Sequence, residues 1–353
     1  MTKMIDAPGE LLATSVPPIG RAEAEELART YFGLQAIANP LKGERDSNFL
    51  LEAVDGRRFV LKLANPAEDR AVIDFQTRAL QHIARVDPTL PVPHVVPACD
   101  GTDMVAIDGP AGSRLLRVLT FVEGSPLHSV PHSSGQRRQI GTLVARLDRA
   151  LENFSHPAAD FTLLWDIKRA ASVRDLFDHL PSDRDHNLPR FFLDSFEEHV
   201  LPVLNQLRTQ VIHNDMNPHN LLVRSDSKDE IAGIIDFGDM VRSPLAQEVA
   251  VAAAYQLHGA GHPLAGAADV IAGYHAHLPL LDREIDLLFD FIATRLVLIV
   301  TIGGWRAARY PENSAYILRN NAAAWTGLAK LAALKRDEAR AYLHAACEGS
   351  IPR

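Results

Sequence analysis

Cysteine is nearly absent from this chain. Only Cys99 and Cys347 occur in 353 residues, too few for a disulfide scaffold and without metal-type spacing, so a reducing, cytoplasmic setting is expected. A basic surplus is missing too: 36 Lys and Arg stand against 44 Asp and Glu, a formal charge of −8. That disfavours nucleic acid as a partner, because such a partner calls for a basic face. The longest apolar run, "LVLIVTIGGW" near residue 300, falls short of the ~20 residues that span a bilayer. The opening stretch "MTKMIDAPGE" carries acids and a proline where a secretion signal needs an apolar run. No repeat period and no low-complexity tract appear. The expectation is a soluble protein that binds neither nucleic acid nor membrane; its oligomeric state is left open.

What is present is enough apolar sequence, 47%, to build two lobes. Residues 21 to 34 read as a helix and a loop. "NFLLEAV" and "RRFVLKLA" read as strands joined at Asp55-Gly56, a strong hairpin signal. Val72, Phe75, Ala79, Leu80 and Ile83 fall at helical spacing, and prolines from Pro88 onward end that helix. "DMVAI" and "RLLRVLTFV" suggest further strands. After Gly124-Ser125-Pro126 the pattern turns helical, with Ser133 or Ser134 as N-cap of a long helix. The exception is 211–239, where "NLLV", "RSDSKDE" and "IAGIID" spell a second hairpin. Ser243-Pro244 reads as the start of another helix, with serine at the cap and proline at N1. The fold class is therefore α+β: a strand-rich N-terminal lobe over 1–119, a connection at 120–125, and a mainly helical lobe over 126–353 with an embedded β-hairpin. A cleft between lobes is the natural ligand site.

The hairpin carries the chemistry. "VIHNDMNPHN" places His213-x-Asp215 before Asn220, and "IIDFGD" supplies Asp236-Phe237-Gly238. Phosphoryl transfer needs a group that accepts the proton of the attacking hydroxyl, oxygen ligands for a metal, and cations along the phosphates. Mg²⁺ favours one or two carboxylates together with phosphate oxygens. Asp215 fits the base, and Asn220 and Asp236 fit the metal ligands. His213 reads as a packed structural residue. Asp239 could hold a substrate ammonium or a second metal, or cap a turn.

These motifs resemble the aminoglycoside phosphotransferase-like kinases, the family that includes choline kinase and shares the bilobal protein-kinase fold. "IDFGDM", "EVAVAAAYQL" and "YPENSAYI" are most similar to its hydroxylysine-kinase-type branch. The resemblance implies a phosphotransferase with an alcohol acceptor, using ATP or GTP with Mg²⁺. It implies that Lys62 reaches the nucleotide phosphates and that a side chain on the following helix, Asp74 or Gln76, partners Lys62. It implies that the loop before "NFLL", including Ser47 and Asn48, cradles phosphate without a GxGxxG motif. Backbone groups near Thr120 and Val122 would read the base. The implied acceptor is a small hydroxylated molecule: an amino acid or amino alcohol such as hydroxylysine, or else homoserine, choline, a sugar or an aminoglycoside. In the implied acceptor region, Arg295 sits in an otherwise apolar helix and needs an anion, either a structural carboxylate or that of an amino-acid substrate. Trp305 could stack there or serve the core. A protein kinase is disfavoured because the GxGxxG loop is absent and Ser243-Pro244-Leu245 follows Asp236 too soon for an activation loop, and a nucleotide-binding pseudokinase is the non-enzymatic alternative.

Overall fold

A computed structural model describes residues 19–41, 43, 46–109, 112–227, 229–257 and 261–350; Lys42, Glu44 and Arg45 of the expected phosphate loop fall outside this set. The described residues form two compact units. One takes 19–123 with His156–Phe161 and Gly233–Ile235, and the other takes the remainder from Gly124 onward.

The first unit is an antiparallel sheet with helices. Helix α1 (Arg21–Phe32) precedes β1 (Ala36–Leu41), β2 (Ser47–Ala53) and β3 (Arg58–Leu63). Asp55-Gly56 does make the β2–β3 turn: Gly56 takes φ 85°, and the Arg57 N–H donates to Asp55 Oδ1 at 3.0 Å. Helix α2 (Arg70–Val86) follows, then β4 (Val95–Val96), β5 (Val105–Gly109) and β6 (Gly112–Thr120). The order is β1-β2-β3-β6-β4, with β5 also paired to β6. In β3, Phe59, Leu61 and Leu63 alternate inward, the period-2 pattern of a half-buried strand. They pack with Phe32, Phe49, Leu51, Leu116 and Val118.

The second unit is mostly helical. Short strand β7 (Ser125–Pro126) is followed by α3 (Ser134–Leu151), α4 (Asn187–His199), β8 (Thr209–Ile212), β9 (Leu221–Val223), β10 (Ile231–Ile234) and β11 (Val241–Pro244). The longer helices that follow are α5 (Leu245–Ala254), α6 (Ala265–His275), α7 (Leu288–Arg309) and α8 (Asn321–Ala332), with α9 (Arg336–Cys347) last. Ser133 caps α3 by accepting from the Gln136 N–H at 3.1 Å. The embedded hairpin is β9–β10, in a sheet ordered β10-β9-β7. Helices α3 and α6 lie backbone to backbone. A Cβ on Gly141 would sit 2.0 Å from the Val270 carbonyl oxygen, and one on Gly273 would sit 2.1 Å from that of Arg138. Helix α7 is buried on almost all sides, as an apolar helix of this kind must be.

One sequence expectation is corrected. Val241–Pro244 is a strand paired antiparallel with β8, so Pro244 stands at the N-cap of α5 and not at N1. The Ser243 hydroxyl makes no cap bond to the helix backbone; it reaches buried Asp166 at 2.7 Å and the Gln247 side-chain oxygen at 3.0 Å. A serine next to a proline carries the same signal whether it caps a helix or closes a strand. Tertiary partners decide which.

Candidate active site

The loop between β8 and β9 holds the first acid. His213 is fully buried, its ring edge-on to Phe237 at 4.7 Å, and its Nδ1 accepts the Asp215 N–H at 3.2 Å. It is the packed residue the sequence suggested. Asn214 bends the chain through φ 66°, a left-handed conformation that asparagine tolerates better than most residues. Its N–H donates to Glu248 at 2.7 Å, and its Oδ1 accepts from Gln247 at 2.8 Å. Gln247 in turn donates to Asp166 at 3.0 Å. Helix α5 thus grips the loop at the residue before Asp215.

Both Asp215 oxygens are held. Oδ2 accepts from the side-chain amides of Asn217 at 2.8 Å and Asn220 at 2.7 Å. Oδ1 accepts from the Arg295 guanidinium at 2.8 Å. Burial pushes the Asp215 carboxyl upward, Arg295 pulls it down, and the charges of Asp239 and Asp236 push it up again, leaving it at about 6. That is a side chain poised to take a proton near neutral pH. The Asp236 and Asp239 carboxylates are therefore in electrostatic reach of Asp215, although Asp236 is exposed and Asp239 is buried. Asp236 also has φ 62°; together with Asn214 it is one of two non-glycine residues with positive φ among the described residues, and both flank this site.

A divalent cation fits these residues in one manner. Among the described residues no three His, Cys, Asp or Glu side chains form a ready-made cage. The Asn220 amide nitrogen is spent on Asp215, so its Oδ1 is the atom left for a metal. One amide oxygen and the Asp236 carboxylate make the sparse protein share that Mg²⁺ takes when phosphate and water complete its shell. The mutual repulsion of the acids is the charge such an ion would relieve.

In the other unit, Lys62 on β3 lies 3.6 Å from Asp46. Its cross-strand neighbours are Asn48 and Arg117. Ser47 accepts from Arg114 at 3.1 Å, and the Asn48 Oδ1 is buried without a hydrogen-bond donor. Gly43 folds over Asn48 so closely that a Cβ there would lie 2.5 Å from its amide nitrogen. Of the two helix candidates, Gln76 accepts from Arg117 at 2.6 Å, whereas Asp74 accepts from His156 at 3.1 Å and pairs with Arg78 at 3.4 Å. The Thr120 N–H is used by the His94 carbonyl at 2.8 Å. Val122 packs near Gly233, where a Cβ would lie 2.6 Å from its methyl.

Trp305 lies on α7 ten residues beyond Arg295, about 15 Å along the axis at 1.5 Å per residue. The aromatic rings that meet Arg295 are those of Trp165 at 5.2 Å and Tyr255 at 5.7 Å. Sequence reasoning passed over these two, and also Glu248, Gln247, Asn217 and Asp166. Glu248 left a usable signal: it is the lone charge in the apolar run "LAQEVAVAAA", the same anomaly that drew attention to Arg295.

Comparison with known proteins agrees with the geometry. Two curated relatives are hydroxylysine kinases. That of Mus musculus is 27% identical over 343 residues, covering 90% of this chain and 91% of the mouse protein; that of Danio rerio is 26% identical, covering 92% and 94%. Among solved structures, a microcompartment-associated aminopropanol kinase superposes with a TM-score of 0.68 at 19% identity, over 92% of this chain and 98% of that one. An amicoumacin kinase, in complex with AMP-PNP, Ca²⁺ and Ami, does so with a TM-score of 0.63 at 17% identity, over 85% and 91%. Both share the fold. Residues 36–284 match the phosphotransferase enzyme family, APH, and the chain belongs to that family as a small-molecule phosphotransferase.

Proposed function

We propose that this chain transfers the γ-phosphoryl group of ATP or GTP to the hydroxyl of an amino acid or amino alcohol such as hydroxylysine. One observation carries the reading. A carboxylate near pKa 6, with both oxygens fixed by hydrogen bonds, lies beside a second acid and an amide oxygen suited to Mg²⁺. The names of the hydroxylysine kinase relatives and of the aminopropanol kinase favour this acceptor class.

Asp215 accepts the proton as the acceptor oxygen attacks phosphorus. Lys62 draws charge from the phosphates, with Ser47 and Asn48 at the start of β2, and Gln76 or Asp74 steadies Lys62 from α2. The Thr120 carbonyl and the Val122 backbone read the base edge. Asn220 and Asp236 would hold the metal, which when bound neutralises charge on the phosphates. Asp239, one short turn past Asp236, offers a carboxylate to an acceptor ammonium, and Trp305 an apolar wall to its carbon chain. Transfer is direct, from nucleotide oxygen to acceptor oxygen, with ADP or GDP as leaving group.

An ADP-release assay with hydroxylysine, aminopropanol, homoserine, choline, a sugar and an aminoglycoside, each with ATP and GTP, tests it. Turnover of an amino alcohol or hydroxy amino acid is expected. Turnover of only the sugar or the aminoglycoside would refute the acceptor class.

A further inference from the structure

Arg295 is 2% exposed, and its guanidinium spends itself on the catalytic loop and the walls around it. Nη2 donates to Asp215 Oδ1 at 2.8 Å and to the Tyr255 hydroxyl at 3.1 Å, and Nη1 donates to the Trp165 carbonyl at 3.3 Å. The rings of Trp165 and Tyr255 flank its charged carbon, where a cation gains from the π faces. A full charge is costly in an apolar helix unless it is paired, so this one is retained for what it touches.

What it touches is the base. Asp215 shares its surroundings with Asp236 and Asp239. The two asparagine amides both bind Oδ2, which leaves the plane of the carboxylate free to turn about that oxygen. Arg295 binds the other oxygen and ends that freedom. It also sets a fixed positive charge against the cluster of acids; burial opposes that charge, and Tyr255, Asp215 and Asp239 outweigh the opposition.

We propose that Arg295 is a positioning residue that aims the Asp215 carboxylate, and not the subsite for an acceptor carboxylate. This rests on Asp215 being the base. Trp165 and Tyr255 hold the guanidinium in plane for that task. A consequence for specificity follows: because both terminal nitrogens are committed to Asp215, Tyr255 and Trp165, with the buried Nε alone left unpartnered, an acceptor needs no carboxylate to use this site. Acceptors with and without one depend on Arg295 equally.

The test compares Arg295→Met, Arg295→Lys, Tyr255→Phe, Asp215→Asn and the double variant Asp215→Asn/Arg295→Met. The acceptors are hydroxylysine and 1-amino-2-propanol, with slow ATP hydrolysis by water as the readout if neither is taken. Misaiming a reacting group costs on the order of 100-fold, so Arg295→Met should lower kcat about that much while acceptor KM stays within about threefold for both acceptors. Arg295→Lys should recover about tenfold of the loss, since it restores the charge without the fork. Tyr255→Phe should cost a few-fold in kcat. If Arg295 works only through Asp215, the double variant is no slower than Asp215→Asn alone. The proposal is overturned by a KM rise confined to hydroxylysine, by additive losses in the double variant, or by a lysine variant as slow as the methionine one. Should Arg295→Met fail to fold, Arg295→Lys takes its place: a KM rise confined to hydroxylysine, or additive losses in Asp215→Asn/Arg295→Lys, overturns the proposal. Near-normal turnover by Asp215→Asn would instead remove Asp215 as base, a separate and distinguishable failure.

Discussion

Replacing Glu248 by Gln should make the protein more stable at pH 8 than the natural chain while leaving the catalytic loop in place. Glu248 is fully buried on α5. One oxygen accepts the Asn214 N–H at 2.7 Å, and the other is buried with no hydrogen-bond partner. Burial pushes its carboxyl up to about 8, with the charge of Asp215 adding to the rise and hydrogen bonds and Arg295 opposing it. The folded chain therefore keeps this proton from pH 4.5 to about 8, a range in which the unfolded chain releases it. Stability falls wherever the native state binds the extra proton as pH rises, by at most about 1.4 kcal/mol per pH unit for one group. A glutamine carries the same shape, offers Asn214 an acceptor oxygen and has no proton to lose. Urea unfolding of both proteins at pH 5, 6, 7 and 8 reads the difference. The Gln variant should gain on the natural chain at a slope approaching about 1.4 kcal/mol per unit between pH 5 and 8, while Glu248→Ala follows the same slope about 2–4 kcal/mol below the Gln variant at every pH, from the cavity and the orphaned Asn214 N–H. Neighbouring Asp148 is also buried and is raised first by burial and then by the charge of Glu248, so the Gln variant relieves that carboxyl as well and the two are read together. Parallel curves across this range would show that Glu248 is ionised in the folded state and refute the reasoning.

Other outcomes follow from the same geometry. Asp215→Asn should reduce kcat about 10²–10⁴-fold, the worth of general base catalysis, with nucleotide binding by calorimetry unchanged. In the natural enzyme kcat/KM should climb about tenfold per pH unit below about 6 and level off above, as the raised Asp215 carboxyl loses its proton; a half-point near pH 4 would contradict the burial of that group. Asp236→Ala should abolish the Mg²⁺-dependent part of nucleotide binding, measured with and without chelator. Gly141→Ala should destabilise the helical unit by about 1–3 kcal/mol, because the new methyl meets the Val270 carbonyl at 2.0 Å, whereas a methyl at Gly135 in the same helix meets nothing nearer than 3.9 Å, so Gly135→Ala should be neutral or slightly stabilising in the same urea titration.

Local chemistry was readable from the chain. Asp55-Gly56 made its turn, Ser133 capped its helix, and Asp215, Asn220 and Asp236 came together as their spacing suggested, because a tight loop and a hairpin are set by near neighbours. Ser243-Pro244 misled, since its meaning depended on β8, some thirty residues back.

The sequence by itself determined the fold class, the family and which acids are candidates for the chemistry, through short motifs and the order of strand-like and helix-like stretches. Only the tertiary structure decided what holds those acids. Arg295 meets Asp215 across 80 residues, and Glu248 meets the Asn214 N–H across 34. A lone charge in an apolar helix says that a partner exists; which partner it is depends on how α5 and α7 pack around the catalytic loop.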